Sequence, residues 1–127
     1  ACSTDVLHLH GELKKVRSTG TNKVYDLKKD ELVIGDLCEG GYQLRPHIVW
    51  FGENVLNLDL AYTLSEQADI FVVVGTSLKV QPAASLILHT KETCRRFIIN
   101  KDIDPQITTL INKHFPPIEK IFSKRPE

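Results

Sequence analysis

The segment Ile70–Val74 constrains the fold more than any other, because it is an uninterrupted run of bulky apolar residues. A strand that is apolar on both faces is typical of a parallel sheet that is covered on both sides. This run is the longest of its kind in the chain, and it is far too short to cross a bilayer as a helix. We therefore predict a strand of a parallel sheet that is buried on both faces, and no membrane-spanning helix.

The segments around this strand alternate between helix and strand patterns. We predict a first helix with apolar positions Leu60, Ala61, Leu64 and Ala68, capped by Asn57 or Asp59. A second helix begins at Pro82 and runs to Leu88. A strand over Arg96–Asn100 follows, and then a helix from Asp104 to about His114. This alternation indicates the α/β class, with right-handed crossovers between the parallel strands.

The first part of the chain has a different character. Val6–Gly11 alternates loosely and predicts a short strand or strand end. Residues 12–41 are rich in charges and turn residues, with possible edge strands at Val24–Leu27 and Leu32–Ile34, which indicates a small surface subdomain. The bulky run His47–Phe51, closed by Gly52, predicts another strand. We divide the chain into residues 1–11, 12–43 and 44–127.

Composition limits the kinds of partner. Sixteen Lys and Arg residues balance sixteen Asp and Glu residues, so the net charge of zero argues against a nucleic-acid partner. The three cysteines, Cys2, Cys38 and Cys94, have no CxxC spacing, which suits a reducing compartment such as the cytoplasm and offers no zinc framework. We expect neither nucleic acid nor membrane as a partner. The start at Ala1 and the absence of Met suggest a piece of a longer protein.

Polar residues follow several predicted strands, where ligands of parallel sheets bind. Gly75-Thr76-Ser77 offers backbone N–H groups and hydroxyls to a phosphate or ribose, or it forms only a tight turn. Asn100 offers an amide to a ribose hydroxyl, or it caps a helix or forms a turn. His10 suits a general base because an imidazole changes protonation near neutral pH, although a strand histidine is more often structural. Trp50–Glu53 offers an edge for an extended peptide, or ordinary aromatic core.

Read together, four motifs resemble the sirtuins, the NAD-dependent protein-lysine deacylases. His8-Leu9-His10-Gly11 resembles their catalytic His-Gly motif, and Leu44–Glu53 resembles their substrate-binding strand. Gly75–Ala84 resembles their second nucleotide loop, and Ile98-Ile99-Asn100 resembles the end of their ribose-binding strand. The Trp-Phe-Gly-Glu form is most similar to the bacterial and mitochondrial branch that includes desuccinylases. The resemblance implies part of a Rossmann-like parallel sheet with helices on both faces, plus a small inserted subdomain.

The resemblance also implies a reaction and a role for each matched residue. In the family, the acyl-lysine oxygen attacks the nicotinamide ribose and expels nicotinamide, and a histidine then activates a ribose hydroxyl to give free lysine and O-acyl-ADP-ribose. His10 would be this base, while Val49 and Phe51 would contact the acyl-lysine. The other substrate-binding positions are Trp50, Gly52 and Glu53, of which Gly52 and Glu53 would pair with the peptide backbone. The NAD-binding positions are Gly75, Thr76, Ser77, Asn100, Lys101, Asp102 and Ile118.

Two departures from the family pattern shape our expectations. The family's glycine-rich NAD loop precedes the catalytic histidine and is missing here, so we expect the chain to be the C-terminal part of a sirtuin, inactive alone, with the N-terminal half of the enzyme as a partner. The family often carries four zinc-binding cysteines between its first two motifs, whereas here only Cys38 lies there, with Gly41 and Ser18 at positions where cysteines are expected. One thiolate cannot build a tetrahedral zinc site, so we predict no zinc.

Two other interpretations stay open at this point. A partial nucleotide site could serve a non-catalytic module that binds ADP-ribose or a peptide strand. An unrelated flavodoxin-like domain with coincidental motifs is the third alternative. The acyl group that the enzyme prefers does not follow from these residues.

Overall fold

The structure is a computed structural model that describes residues 3–100, 105–115 and 119–121. Its residues group into two units, Ala1–Asn57 and Leu58–Glu127. Among the described residues, no helix combines the length and the apolar character that crossing a membrane requires. The boundary at Asn57 places residues 44–57 with the first unit, because the strand at 44–48 pairs with a strand of that unit.

The first unit is built on a three-stranded antiparallel sheet. Its strands are β1 (Gly11–Ser18), β2 (Val24–Asp26) and β3 (Leu44–Ile48), in the order β2-β1-β3. The central strand β1 pairs Val16 with Tyr25 of β2 and Gly11 with Ile48 of β3. Val16 and Ser18 are its buried residues, so the charged segment that follows Gly11 folds around a small core.

The second unit is built on a parallel sheet, as the sequence predicts. Its strands are β4 (Ile70–Val74), β5 (Arg95–Ile99) and β6 (Glu119–Ile121), in the order β4-β5-β6. Its helices are α1 (Leu58–Gln67), a 3₁₀ helix over Ala83–His89, and α2 (Pro105–His114). The core consists of Val73, Ile87, Ile98 and Ile111, so both long strands and two of the helices contribute to it. The α/β class is therefore confirmed.

The strand β4 differs from the prediction in its burial. Val73 is buried and Phe71 is partly buried, but Ile70, Val72 and Val74 on the opposite face are 57%, 47% and 65% exposed. The strand also lies at the edge of its sheet. The expectation that it is buried on both faces is wrong for the described part of the chain, because no described element covers the second face.

Several local predictions are wrong, and for Leu32–Ile34 the structure shows the physical reason. Val6–His10 forms no strand, and β1 begins at Gly11 instead. Leu32–Ile34 forms no strand because the Asp36 side chain accepts the N–H of Val33 and draws the backbone into a turn. The strand predicted over His47–Phe51 ends at Ile48. The helix after Pro82 is a 3₁₀ helix, and β6 was not predicted.

Candidate functional site

The segment that carries His10 is held by backbone hydrogen bonds from residues 49–57. The N–H of Val49 donates to the His10 carbonyl at 3.1 Å, and the N–H of Leu56 donates to the Leu9 carbonyl at 3.0 Å. The Asn57 side-chain amide donates to the His8 carbonyl at 3.3 Å. His10 itself is an exposed residue. The main chain of this segment is therefore fixed while the side chain stays accessible to a ligand.

Asn57 takes a different role from the predicted helix cap. Its φ of +53° is left-handed, whereas a capping residue before a helix normally has an extended backbone. Its side chain reaches the His8 carbonyl, 49 residues earlier in the chain. Sequence reasoning missed this contact, and no local pattern signals a hydrogen bond between such distant residues.

Gly11 explains why a glycine follows His10. A Cβ at this position would lie 1.9 Å from the His47 carbonyl oxygen and 2.8 Å from the Ile48 Cα, both in the main chain of β3. The φ of Gly11 is +88°, a left-handed conformation that is strained for any residue with a side chain. The glycine therefore lets β1 approach β3 closely at the residue next to His10.

The predicted peptide-binding residues form a turn rather than a strand. Trp50 and Phe51 are exposed by 55% and 97%, so neither belongs to the core. The N–H of Glu53 donates to the Trp50 carbonyl at 3.1 Å, and the φ of Gly52 is +87°. The alternative that these aromatics form ordinary core is thus wrong in the described structure, while contact with a peptide stays a prediction.

Glu53 lies at the centre of a cluster of ion pairs in the first unit. Its carboxylate pairs with Arg45 at 2.5 Å and with Arg17 at 3.0 Å, and it accepts the N–H of Trp50 at 3.0 Å. These contacts, led by the Arg45 hydrogen bond, lower the pKa of Glu53 to about 2. The carboxylate is therefore ionised throughout the range in which enzymes are assayed.

In the second unit, two predicted nucleotide motifs come together. The Asn100 side-chain amide donates to the Thr76 carbonyl at 2.9 Å. This contact follows from the parallel pairing of β4 with β5, whose last residues Val74 and Ile99 are register partners. Gly75, Thr76 and Ser77 are all exposed, as a ligand-binding loop requires.

The Gly75-Thr76-Ser77 loop offers one backbone N–H donor fewer than the sequence predicts. The N–H of Gly75 is not free, because it donates to the Ile99 carbonyl at 3.0 Å and extends the sheet. The Thr76 hydroxyl accepts the N–H of Leu78 at 3.2 Å and so shapes the loop. Lys101, Asp102 and Ile118, the other predicted NAD contacts, lie outside the described residues.

A hydrogen-bonded cluster lies where the resemblance places the zinc-binding cysteines of the family. The Cys38 sulfur lies 3.4 Å from the Ser18 hydroxyl oxygen, which also accepts the N–H groups of Gly20 and Thr21. Hydrogen bonds from Ser18 and from the backbone at Tyr42 and Gly40 lower the pKa of the Cys38 thiol. Over residues 3–100, 105–115 and 119–121, no three His, Cys, Asp or Glu side chains are grouped as metal ligands. Cys38 is the one sulfur ligand in this cluster, whereas a structural tetrahedral zinc ion takes four Cys or His ligands, so the absence of zinc stays a prediction.

A cavity of about 390 Å³ opens in the same unit. Tyr25, Lys29 and Cys38 are among its lining residues, and none of the predicted site residues lines it. The predicted chemistry therefore does not depend on this cavity.

Comparison with known proteins decides the family. The model of the Sir2 family matches residues 1–82. The chain belongs to the Sir2 family. An NAD-dependent protein deacylase of Helicobacter pylori strain 26695 is 46% identical over 117 residues, which is 91% of this chain and 48% of that protein. This sirtuin chain thus spans about half the length of the curated relatives it matches.

Solved sirtuin structures support the same assignment. A Sir2 homologue in complex with NAD is 37% identical with a TM-score of 0.74, and the match covers 95% of this chain and 46% of that one. A Sir2 protein bound to an acetylated peptide is 27% identical with a TM-score of 0.68, over 94% of this chain and 50% of that one. The fold is therefore that of part of a sirtuin, with one small parallel and one antiparallel sheet.

Proposed function

We propose that the full-length protein containing this chain is an NAD-dependent protein-lysine deacylase that yields nicotinamide, free lysine and O-acyl-ADP-ribose. One observation carries the proposal: the Asn100 amide binds the Thr76 carbonyl at 2.9 Å and so joins the two nucleotide motifs at the carboxyl ends of adjacent parallel strands. Ligands of parallel sheets bind at such strand ends. The similarity to NAD-dependent deacylases supports the same chemistry.

His10 is the proposed general base. Bound NAD would supply an activated ribose, and the imidazole of His10 would accept the proton of a ribose hydroxyl. The hydrogen bond from the Val49 N–H to the His10 carbonyl fixes the backbone that carries the imidazole. The imidazole therefore has fewer positions to sample before it reaches a reactive geometry. The exposure of His10 leaves its ring available for this contact.

The turn Trp50–Glu53 is the proposed acyl-lysine site. Val49 offers its carbonyl to the substrate lysine N–H, and Phe51, which is 97% exposed, lines the acyl-lysine tunnel and excludes water. Gly52 and Glu53 pair with the peptide main chain, which explains tolerance of varied sequences. The proposal covers removal of acetyl and succinyl groups alike, because the Trp-Phe-Gly-Glu form resembles a branch that includes desuccinylases and these residues do not select between the two groups.

Thr76, Ser77 and Asn100 are the proposed NAD contacts in the second unit, with Gly75 at the end of β4. On the resemblance alone we also propose Lys101 and Asp102 as ribose contacts and Ile118 as an adenine contact; these three lie outside the described residues. We propose that the chain contributes part of a Rossmann-like sheet that has helices on both faces in the full-length protein. The exposed face of β4, formed by Ile70, Val72 and Val74, supports the N-terminal half of the enzyme as the element that completes this sheet. Without that half, we expect no turnover.

We propose that the protein uses no structural zinc. The cluster around Ser18 and Cys38 supports this proposal. Its hydrogen bonds link the segment at Ser18 to the segment at Cys38, which zinc-binding cysteines would otherwise join through the metal. Metal analysis that finds one tightly bound zinc ion per chain would contradict it. The scattered cysteines and the neutral net charge support a cytoplasmic location without nucleic-acid or membrane partners.

A combined binding and activity measurement tests the proposal. Calorimetry with ADP-ribose and an assay of NAD-dependent removal of acetyl and succinyl groups from lysine peptides should both be positive for the full-length protein. Binding of ADP-ribose without turnover would replace the deacylase by a binding module. Absence of both would overturn the assignment of the nucleotide loop.

A further inference from the structure

The Glu53 carboxylate is held from three directions. Arg45 contacts both of its oxygens, at 2.5 Å and 3.3 Å, and Arg17 contacts one of them at 3.0 Å. The same oxygen that meets Arg17 accepts the backbone N–H of Trp50 at 3.0 Å. Bidentate pairs between arginine and a carboxylate fix orientation as well as distance, so the side chain has one defined position.

The two arginines belong to the paired strands of the first unit. Arg17 lies on β1 and Arg45 on β3, and the two residues are direct register partners. Neighbouring positions of this kind place both side chains on the same face of the sheet. The Arg17 side chain is 17% exposed and that of Arg45 is 24% exposed, so water screens the cluster less than a surface pair. The cluster therefore ties Glu53 to a rigid scaffold.

Apart from Glu53, the turn is supported within the described residues by one side-chain contact, in which the Arg45 guanidinium lies 5.9 Å from the centre of the Trp50 ring. Phe51 is almost fully exposed and Trp50 is about half exposed, so neither aromatic ring anchors the turn in the core. Gly52, with its left-handed φ, adds flexibility. The Glu53 N–H donates to the Trp50 carbonyl, and the Trp50 N–H donates to the Glu53 carboxylate, so both hydrogen bonds depend on where Glu53 lies.

We propose that Glu53 is a positioning residue that, held by Arg17 and Arg45, keeps the Trp50–Glu53 turn in the shape that receives the acyl-lysine. This inference rests on the proposed function, because it assigns a support to the proposed acyl-lysine site. Only the main chain of Glu53 is proposed to pair with the peptide. Its side chain contacts its own turn and the two arginines, so the carboxylate acts on the substrate through the positions of Trp50 and Phe51.

Kinetics of the full-length enzyme separate this role from catalysis and from general stability. If Glu53→Ala reduces the competent turn to about a tenth of the population, the KM for the acyl peptide rises about tenfold. The KM for NAD should stay unchanged, because the side-chain contacts of Glu53, which are Arg17, Arg45 and the Trp50 N–H, include none of the residues proposed to bind NAD. Glu53→Gln keeps an acceptor for the Trp50 N–H but loses the charge, so it should fall between wild type and Glu53→Ala.

Glu39 provides a matched control. It is also a glutamate of the first unit, it pairs with Lys23 at 2.5 Å, and its pKa is likewise lowered to about 2. Within the described part of the chain, Glu39 makes no contact with the Trp50–Glu53 turn. Glu39→Ala should therefore leave the KM for the peptide unchanged. A similar rise in both variants would mean that any lost ion pair has this effect, and it would overturn the inference.

A spectroscopic measurement tests the turn directly. Trp50 is the one tryptophan of this sequence, so a 5-fluorotryptophan label gives a ¹⁹F resonance that Trp50→Phe assigns. Glu53→Ala should shift or broaden that resonance, and Glu39→Ala should not. An unchanged resonance, or an unchanged peptide KM in an active enzyme, would overturn the inference. A wild-type protein without NAD-dependent turnover would instead count against the proposed function, and the ¹⁹F spectrum would still show whether Glu53 orders the turn.

Discussion

Replacing Gly11 by alanine should destabilise the first unit strongly, because the new Cβ has no room. It would meet the His47 carbonyl oxygen at 1.9 Å and the His47 carbonyl carbon at 2.7 Å, which are main-chain atoms that cannot rotate away. The φ of +88° adds a second cost. Relief requires β1 to move away from β3, at the residue that follows His10.

The size of the effect can be worked out from these two terms. A side chain in left-handed backbone costs about 1–2 kcal/mol. Overpacking typically costs about 1–3 kcal/mol, and here the overlap is with main-chain atoms. Together the two costs lower the free energy of unfolding by about 2–5 kcal/mol.

Gly35 separates the two terms. Its φ of +100° is also left-handed, but a Cβ there meets nothing within 4 Å. Gly35→Ala should therefore cost only the backbone term of about 1–2 kcal/mol. Urea unfolding of the full-length protein measures both variants, and any stabilisation through the unfolded chain is shared by both and cancels in their difference. Activity should fall for Gly11→Ala alone, because only that position displaces His10. Equal losses of stability in the two variants would refute this explanation of the glycine.

Three further predictions concern the site itself. His10→Ala should abolish deacylation while calorimetry shows nearly unchanged NAD affinity, and retained turnover would remove His10 from its role. Asn100→Ala should raise the KM for NAD more than it lowers kcat, because the Thr76 loop loses its hydrogen bond, and an unchanged KM would contradict the ribose contact. The pKa of Glu53 is lowered from 4.5 to about 2, so its ion pairs stabilise the fold fully above pH 4.5 and are lost as the pH falls towards 2. Acid unfolding should therefore be less steep in Glu53→Gln over that interval, and an identical acid limb would show that the pairs contribute nothing.

Local patterns predicted most of the second unit correctly. The apolar run of β4, the helical spacing in α1 and the proline at the start of α2 each depend on neighbouring residues, which the sequence displays directly. The exposed face of β4 could not be predicted, because burial depends on what other elements cover the strand. β6 was missed because three residues carry too little pattern to identify a strand.

The first unit was harder to predict because distant contacts decide it. Ile34 looks like a strand residue but is 98% exposed, since the turn at Gly35 and Asp36 sets the backbone there. The pair of Arg17 with Glu53 joins residues 36 positions apart, and no spacing rule reports such a contact. The motif at His10 was found from the resemblance, whereas the reason for its glycine became visible only with the position of His47.

The most direct test of the deacylase assignment is the fate of the acyl group. Mass spectrometry of the full-length protein with NAD and an acyl-lysine peptide should find one nicotinamide and one O-acyl-ADP-ribose for each lysine released, and none of these products with His10→Ala. Release of the acyl group as a free carboxylic acid without consumption of NAD would contradict the assignment.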